Sequence, residues 1–200
     1  LNNANDVINN SVARLAIFKH YNIQEDLIHA SADGQKFESR LETFKTRYSS
    51  KYFGTNKGVS AITLIANHAA LNAKVIGSNE HESHYIFDLL QSNTSEIQPD
   101  VLSTDTHGVN HVNFALLDLF GYTFAPRYAQ FGKVIEEMFK VSENKDQGVT
   151  LSLKKPIKTD LIIEHWDTIQ RIAISLQEKS TTQAILVRKL SGYSKSHPLL

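Results

Sequence analysis

The sequence contains no cysteine and no long apolar run. Without cysteine the chain can form neither disulfides nor thiolate metal sites, which fits a reducing compartment. No stretch approaches the roughly eighteen apolar residues that a membrane-spanning helix requires. The chain starts at Leu1 without an initiator methionine or a signal-peptide pattern, and it stops on Pro198-Leu-Leu without a closing turn. We therefore expect a fragment of a longer protein that has no membrane partner.

Several familiar catalytic signatures are also missing. The chain has no G-x-S-x-G nucleophile elbow and no G-x-x-x-x-G-K-[ST] phosphate loop. Two histidine groups remain as candidates for zinc, namely His81 and His84 with Glu82 between them, and His107 with His111. Only two residues separate His81 from His84, so the H-E-x-x-H geometry of zinc proteases is absent. The alternative for the first group is a helix start, with Ser78 or Asn79 as the N-cap and Glu82 following.

Charge is balanced overall but uneven along the chain. The sequence has 21 basic and 21 acidic residues, so composition gives no argument for a polyanionic partner. Residues 36–57, called the basic segment below, hold six basic residues against two acidic ones. Five aromatic residues are interleaved with these cations: Phe37, Phe44, Tyr48, Tyr52 and Phe53. Such a segment can contact phosphates and stack on bases, and the alternative is an ordinary solvated face anchored by its aromatics.

The order of apolar patterns predicts a mixed α/β core followed by helices. Helical spacing is found over residues 5–20, 81–91 and 112–120, and short strands are predicted over 27–32, 100–105 and 123–125. Residues 59–66 and 73–77 are predicted to form a β-hairpin. Further helices are predicted over 131–141 and, in two pieces, over 160–192, with a polar loop at 142–148. The expected domain boundaries are an N-terminal helix over 1–24, a core over 25–127 and a mostly helical region over 128–200.

Two aspartates share the same local context. Asp33 in A-S-A-D-G and Asp105 in S-T-D-T-H-G each follow a short apolar strand and small polar residues, and each precedes a glycine. Carboxylates at the ends of neighbouring strands converge where α/β sheets bind ligands, and Mg²⁺ needs only two or three of them besides water. Asp before Gly is also the commonest way to build a tight turn. From spacing alone, a turn and a metal site both remain open for each aspartate.

The chain resembles the catalytic region of the Tn3 family of replicative (class II) DNA transposases. The resemblance covers residues 30–127 almost without a gap and is thinner beyond Arg127, where it rests on LIIEHWDTI (161–169) and RKLSGY (188–193). The phrases that carry it are ASADGQKF (30–37), RYSSKYFG (47–54), KGV (57–59), NH (67–68), LNA (71–73), HESHYIFDLL (81–90), EIQP (96–99), STDTHG (103–108), NFALL (113–117) and FGYTFAPR (120–127).

This resemblance implies a ribonuclease-H-like fold, a mixed sheet flanked by helices with a helical insertion. It also implies an Asp, Asp, Glu triad with two Mg²⁺ ions, for which Mn²⁺ can substitute. Asp33 and Asp105 match the two aspartates, with Asp33 expected to bridge both ions and Asp105 to hold one. The family's glutamate follows well over a hundred residues after the second aspartate, in an Asn-x-x-Glu setting that the sequence lacks between Asp105 and Leu200. We do not assign that role to Glu164, and we expect the third ligand to lie outside this chain.

The implied activity is metal-assisted cleavage of transposon ends and strand transfer into target DNA. Phosphate contacts are expected from five residues: Lys36, Arg47, Lys51, Lys57 and Arg127. His107 is a candidate to orient Asp105, a metal-bound water or a phosphate, and a plain loop-to-helix contact is its alternative. The implied partners are double-stranded DNA and further copies of the full-length protein, in the cytoplasm at the nucleoid. Because the glutamate is missing, we expect the chain alone to be inactive. The alternatives are an inert DNA-binding remnant and a metal-dependent nuclease unconnected with transposition.

Overall fold

The computed structural model describes residues 2–22, 26–136, 138–140 and 155–191. These form two compact units, the first comprising the chain up to Arg127 and again from Thr181, the second Tyr128–Ser180. Neither unit contains, among the residues described, a helix with the length and hydropathy needed to span a bilayer. The boundaries expected at residues 24 and 127 stay predictions.

A six-stranded mixed sheet forms the centre of the first unit. Its strands are β1 (His29–Glu38), β2 (Arg47–Tyr48), β3 (Lys57–Ala66), β4 (Ala69–Gly77), β5 (Val101–Thr104) and β6 (Thr123–Phe124). The order runs β2-β3-β1-β5-β6, and β4 also pairs with β3. The pairs β1–β3, β2–β3 and β3–β4 are antiparallel, whereas β1–β5 and β5–β6 are parallel. The expected mixed α/β class is therefore confirmed.

Helices of the first unit lie before, between and after these strands. They are α1 (Asn2–Ala13), α2 (Ala16–His20), α3 (Ser50–Phe53), α4 (Ile86–Gln91), α5 (His111–Leu119) and α9 (Gln183–Ser191). Two short 3₁₀ helices, Glu82–Tyr85 and Thr106–Gly108, precede α4 and α5. The single helix expected over 5–20 is thus two helices, α1 and α2.

Side-chain alternation along the strands separates a buried face from an open one. In β3 the buried residues Ile62, Leu64 and Ala66 alternate with neighbours that are at least partly exposed. The core is completed by fully buried residues of α4 and α5, such as Phe87, Leu89 and Leu117. Period-two burial predicts this arrangement for a sheet covered by helices on one side. On β1, Asp33 lies on the open face, between the buried Ala32 and the half-buried Gly34.

Two of the turns predicted from the sequence are found in the structure, and a third is not. The β3–β4 hairpin turns at Asn67 and His68, whose φ angles of 45° and 67° lie in the left-handed region that Asn tolerates. Helix α5 ends before Gly121, which has φ of 82°. The expected strand end at Asp33-Gly34 is wrong, since β1 continues to Glu38. Its long antiparallel pairing with β3, from Ala30 to Glu38, outweighs the local turn preference.

Helix α9 is held to the rest of the first unit by a buried polar network around Gln183. This residue has no exposed surface. Its side-chain Oε1 accepts from the Phe87 amide at 2.7 Å, and its Nε2 donates to the Ser83 carbonyl at 3.0 Å and to Asn113 Oδ1. The Gln183 amide donates in turn to Asp88 Oδ1 at 2.7 Å. Burial raises the pKa of Asp88, against the effect of these backbone bonds and of Lys74.

The second unit contains α6 (Phe131–Val134), β7 (Phe139–Lys140), β8 (Lys155–Pro156), α7 (Thr159–Glu164) and α8 (Trp166–Gln177). Strands β7 and β8 pair in parallel. The helix expected over 131–141 is therefore only one turn long, and residues 139–140 are extended. The polar loop expected at 142–148 lies outside the described residues.

Candidate active site

The two aspartates follow the last residues that pair between two neighbouring parallel strands. The register pairs Ala30 with Leu102 and Ala32 with Thr104, so Asp33 is the next residue of β1 and Asp105 is the first residue after the end of β5. Both follow a buried residue of their strand, because Ala32 and Thr104 are each 4% exposed. Alternation along β1 therefore places the Asp33 side chain on the open face of the sheet, whereas Asp105 is the N-cap residue of the 3₁₀ helix that follows β5. The structure brings the two predicted carboxylates together from positions 72 residues apart (105 − 33).

Backbone amides hold one oxygen of each carboxylate. Asp33 Oδ1 accepts from the Gly34 amide at 2.8 Å. Asp105 Oδ1 accepts from the amides of His107 and Gly108, at 2.9 and 3.2 Å, and so caps the 3₁₀ helix that follows. The side chains are thereby fixed at the backbone. Asp105 can serve both as a turn residue and as a ligand, because only its Oδ1 accepts the two cap bonds.

The turn after β5 closes tightly on Thr104. A Cβ built on Gly108 would lie 2.6 Å from Oγ1 and 2.8 Å from Cγ2 of Thr104, so only glycine fits there without rearrangement. The Thr104 Oγ1 is buried and has no hydrogen-bond partner among the described residues. The backbone amide of Arg127 donates to the carbonyl of Thr104 at 2.8 Å.

Replacing Thr104 by valine should raise the free energy of unfolding by about 1 kcal/mol, because a buried hydroxyl without a partner is removed while the shape is kept. Urea unfolding followed by circular dichroism measures this change. The matched control is Thr104→Ser, which keeps the hydroxyl and loses a methyl group, and should lower stability by about 1 kcal/mol. A valine variant that is less stable than the parent chain would contradict the conclusion that the Thr104 hydroxyl is buried without a partner.

Asp33 and Asp105 line a cavity of about 640 Å³ in the first unit. The segments that form its walls are the end of β1, the start of α3 and the loop from Ser78 into the 3₁₀ helix at Glu82. Its charged and aromatic lining residues besides the aspartates are Lys36, Lys51, Tyr52, Glu80, His81, Glu82 and His107. Both carboxylates thus lie in a concave, mixed-charge site of the size that small ligands occupy.

Glu82 is a further carboxylate of this cavity, and its side chain is only 12% exposed. It accepts from Ser60 Oγ at 3.2 Å and pairs with Lys36 Nζ at 3.4 Å. A Cβ on Gly34 would overlap the Glu82 carboxyl group, so the glycine after Asp33 makes room for it. The expected capping role of Ser78 or Asn79 is wrong, since His81 occupies the N-cap position without a side-chain cap bond, and Ser78 Oγ donates to the Arg47 carbonyl instead.

Three of the five predicted phosphate contacts have side-chain hydrogen bonds or ion pairs within the unit. Lys36 pairs with Glu82, Lys57 pairs with Glu42, and Arg47 donates to the carbonyls of Phe44 and Thr46 at 2.9 and 2.8 Å. The hydrogen bond from Lys57 lowers the pKa of Glu42, although an exposed pair of this kind adds little stability. Lys36 and Lys51 line the cavity, whereas Arg47, Lys57 and Arg127 do not.

The histidines do not assemble into a metal site within the described residues, where no group of three His, Asp or Glu side chains is placed to hold an ion. His81 Nδ1 lies 2.7 Å from Ser83 Oγ, and its ring centroid lies 5.5 Å from that of His84. Burial, followed by the nearby His81 and Arg188, lowers the pKa of His84. His107 lies in the cavity wall, and its backbone amide holds Asp105.

Sequence reasoning missed Glu82 as a cavity residue and Glu80 with it. Glu80 accepts from the Tyr85 hydroxyl and pairs with Arg188 at 3.3 Å. Burial and the Glu80 carboxylate raise the pKa of Tyr85 to about 12. The signal available in the sequence was the cluster of Glu80, His81 and Glu82 after the hairpin, which was interpreted as a helix start.

Comparison with known proteins places this chain in the class of DDE transposase domains. Residues 1–200 match the family model described as the Tn3 transposase DDE domain, and the chain belongs to this family. The resemblance inferred from the motifs is thereby confirmed.

Curated relatives are similar over most of this chain but are several times longer. The transposase for transposon Tn3926 from Escherichia coli is 30% identical over 176 residues, which is 85% of this chain and 17% of the relative. The transposase for transposon Tn4556 from Streptomyces fradiae is also 30% identical, over 85% of this chain and 19% of its own length. The transposase for transposon Tn1546 from Enterococcus faecium is 23% identical over 97% of this chain, and 20% of that relative is covered.

Proposed function

We propose that this chain supplies two of the acidic ligands of a transposase active site that performs metal-dependent phosphoryl transfer on DNA. The observation that carries the proposal is the parallel register of β1 and β5, which sets Asp33 and Asp105 side by side in one cavity. Family membership adds that the parent protein is a transposase. Its substrates are then transposon ends and target DNA, and its subunits act as an oligomer.

The donor set fits a hard divalent cation. Carboxylate oxygens are the ligands that Mg²⁺ prefers, and Mg²⁺ is commonly bound by one or two carboxylates together with waters and substrate phosphates. Asp33 and Asp105 would hold it, together with a third acidic ligand that we expect outside this chain. When bound, such ions activate a water or hydroxyl nucleophile and stabilise the leaving oxygen.

The residues of this chain contribute position and charge. Amides of Gly34, His107 and Gly108 fix the two carboxylates. Binding of a ligand therefore costs little further entropy for orienting these side chains. Lys36 and Lys51 place positive charge in the cavity wall, where a DNA phosphate can be held. His107, exposed in the same wall, is positioned to orient Asp105 or contact a phosphate.

The fold proposed for this region is ribonuclease-H-like. Its support is a first strand that bears an aspartate, an antiparallel β3–β4 hairpin, a helix, and then a parallel strand followed by the second aspartate. The two-unit division supports an insertion, since the chain leaves the first unit after Arg127 and returns at Thr181.

Paramagnetic broadening by Mn²⁺ tests the proposed site. In spectra of the ¹⁵N-labelled chain, Mn²⁺ should broaden the amide signals of Gly34, His107 and Gly108 first, because these amides bond the two carboxylates. Asp33→Asn and Asp105→Asn should each weaken this effect at least about tenfold, since each removes a charged ligand.

The matched control is Asp118→Asn, an exposed aspartate of α5 outside the cavity, which should leave the broadening unchanged. Equal broadening around all exposed carboxylates, unaffected by Asp33→Asn, would contradict the metal site and favour the inert DNA-binding remnant. We also expect no strand cleavage by the chain alone, because two carboxylates hold Mg²⁺ weakly. Mg²⁺-dependent nicking by these 200 residues would contradict the missing ligand.

A further inference from the structure

Tyr52 is an exposed aromatic residue in the wall of the carboxylate cavity. Its side chain is 45% exposed, and it lines the same cavity as Asp33 and Asp105. Two ammonium groups lie against its ring, with Lys36 Nζ 4.8 Å and Lys51 Nζ 5.0 Å from the centroid. A partly exposed aromatic ring and two cations are thus gathered in the wall of one cavity.

The position of this ring is fixed by the residue that follows it. The Phe53 ring fills the space where a Cβ of Gly58 would stand, which fastens α3 to β3. The amides of Tyr52 and Phe53 both donate to the Ser49 carbonyl, at 3.1 and 2.8 Å. The helix is short, but the contact of Phe53 with Gly58 holds its end to β3, which fixes the backbone of Tyr52 in the wall of the cavity.

We propose that Tyr52 is the stacking platform for one unpaired nucleobase next to the carboxylate pair, with the exposed Lys51 binding a flanking phosphate. The inference rests on the proposed function, because it requires DNA as the ligand. A base inside a duplex is stacked on both of its faces, so the ring can accept only a base that has left the helix. Contact between the exposed Lys51 and the ring is weaker than base stacking, so an arriving base displaces this ammonium group towards its phosphate. Lys36 stays in its ion pair with Glu82.

Binding of the chain to two labelled DNA molecules of the same duplex sequence tests this inference. One is blunt and the other carries a single-stranded overhang, and fluorescence anisotropy at one fixed salt concentration gives both dissociation constants. The overhang should be bound about tenfold more tightly, as expected of one stacked base. Tyr52→Leu should abolish that preference, and Tyr52→Phe should keep it because the ring remains.

The matched control is Tyr48→Leu. Tyr48 is 63% exposed and also carries a lysine on its ring, with Lys57 Nζ 4.7 Å from the centroid, but it does not line the cavity. Its replacement should leave the preference intact, and thermal melting should show that both leucine variants are folded.

Equal binding of the two DNA molecules, or equal losses in the Tyr48 and Tyr52 variants, would overturn the inference. Failure of the chain to bind either DNA would overturn it as well. The Mn²⁺ measurement on Tyr52→Leu keeps the two proposals apart, because broadening at Gly34 depends on the carboxylates and not on the ring. Broadening that persists without an overhang preference would leave the metal site standing and remove only the stacking platform.

Discussion

Replacing Gln183 by leucine should lower the free energy of unfolding of the first unit by about 3–4 kcal/mol. Leucine fills a similar volume but leaves the Phe87 amide and Asn113 Oδ1 without a partner, and the Ser83 carbonyl keeps only its bond from Asn110 Nδ2. Each unsatisfied buried group costs on the order of 1–3 kcal/mol, and partial relaxation reduces the sum. The loss is large because Gln183 has no exposed surface through which water could replace these bonds.

Hydrogen exchange at the amide of Ile62 measures this loss, since Ile62 is buried in strand β3 of the first unit and its amide exchanges through unfolding of that unit. The control is Ile185→Ala on the same helix, at a side chain that is 46% exposed, with an expected change below about 1 kcal/mol. If Gln183→Leu changed exchange no more than Ile185→Ala does, the network would not hold α9 to the first unit.

Local patterns were sufficient for the elements whose partners lie close in sequence. Two β-rich runs around Asn67 and His68 predicted the β3–β4 hairpin, and the apolar run before Gly121 predicted α5 and its end. Both depend on turn chemistry and periodicity, which a short window contains. The pairing of Asp33 with Asp105 required the further assumption that β1 and β5 are neighbours, and the register confirms that assumption.

Contacts between distant segments were not predictable in this way. Asp33-Gly34 reads locally as a turn, but the pairing of β1 with β3 keeps it extended, so tertiary context overrides local preference. Glu82 reads as part of a helix start, and only the fold shows that Ser60 and Lys36 bind it. The bond from the Gln183 amide to Asp88 spans 95 residues, and nothing near either residue indicates the other.

The residues around Asp105 show why a turn and a ligand site can share one motif. Asp105 caps the 3₁₀ helix, Gly108 allows that helix to close on Thr104, and Thr104 lies in the register position next to Ala32 of β1. The glycine therefore serves the carboxylate in two ways, because its amide donates to Asp105 Oδ1 and its missing side chain lets the turn pack against Thr104. This coupling gives a test in which stability and metal binding should change together.

Gly108→Ala should lower the free energy of unfolding by about 2 kcal/mol and also weaken Mn²⁺ broadening at His107. The added methyl meets Thr104, a buried strand residue whose Oγ1 and Cγ2 would lie 2.6 and 2.8 Å away, and overpacking of this kind typically costs about 1–3 kcal/mol. Because the backbone has to move, the cap bonds to Asp105 Oδ1 lengthen and the carboxylate loses its fixed position. Urea unfolding and the Mn²⁺ titration together measure both effects.

Gly132→Ala is the matched control, because a Cβ there meets nothing within 4 Å. It lies in α6, where alanine is the better helix former, so stability should stay equal or rise by up to about 1 kcal/mol. A Gly108→Ala variant that is as stable as the parent chain and keeps its broadening at His107 would show that Asp105 is positioned without this turn. A variant that loses stability but keeps its broadening would show that the packing of Gly108 does not orient the Asp105 carboxylate. Only the proposed link between stability and metal binding would then be wrong.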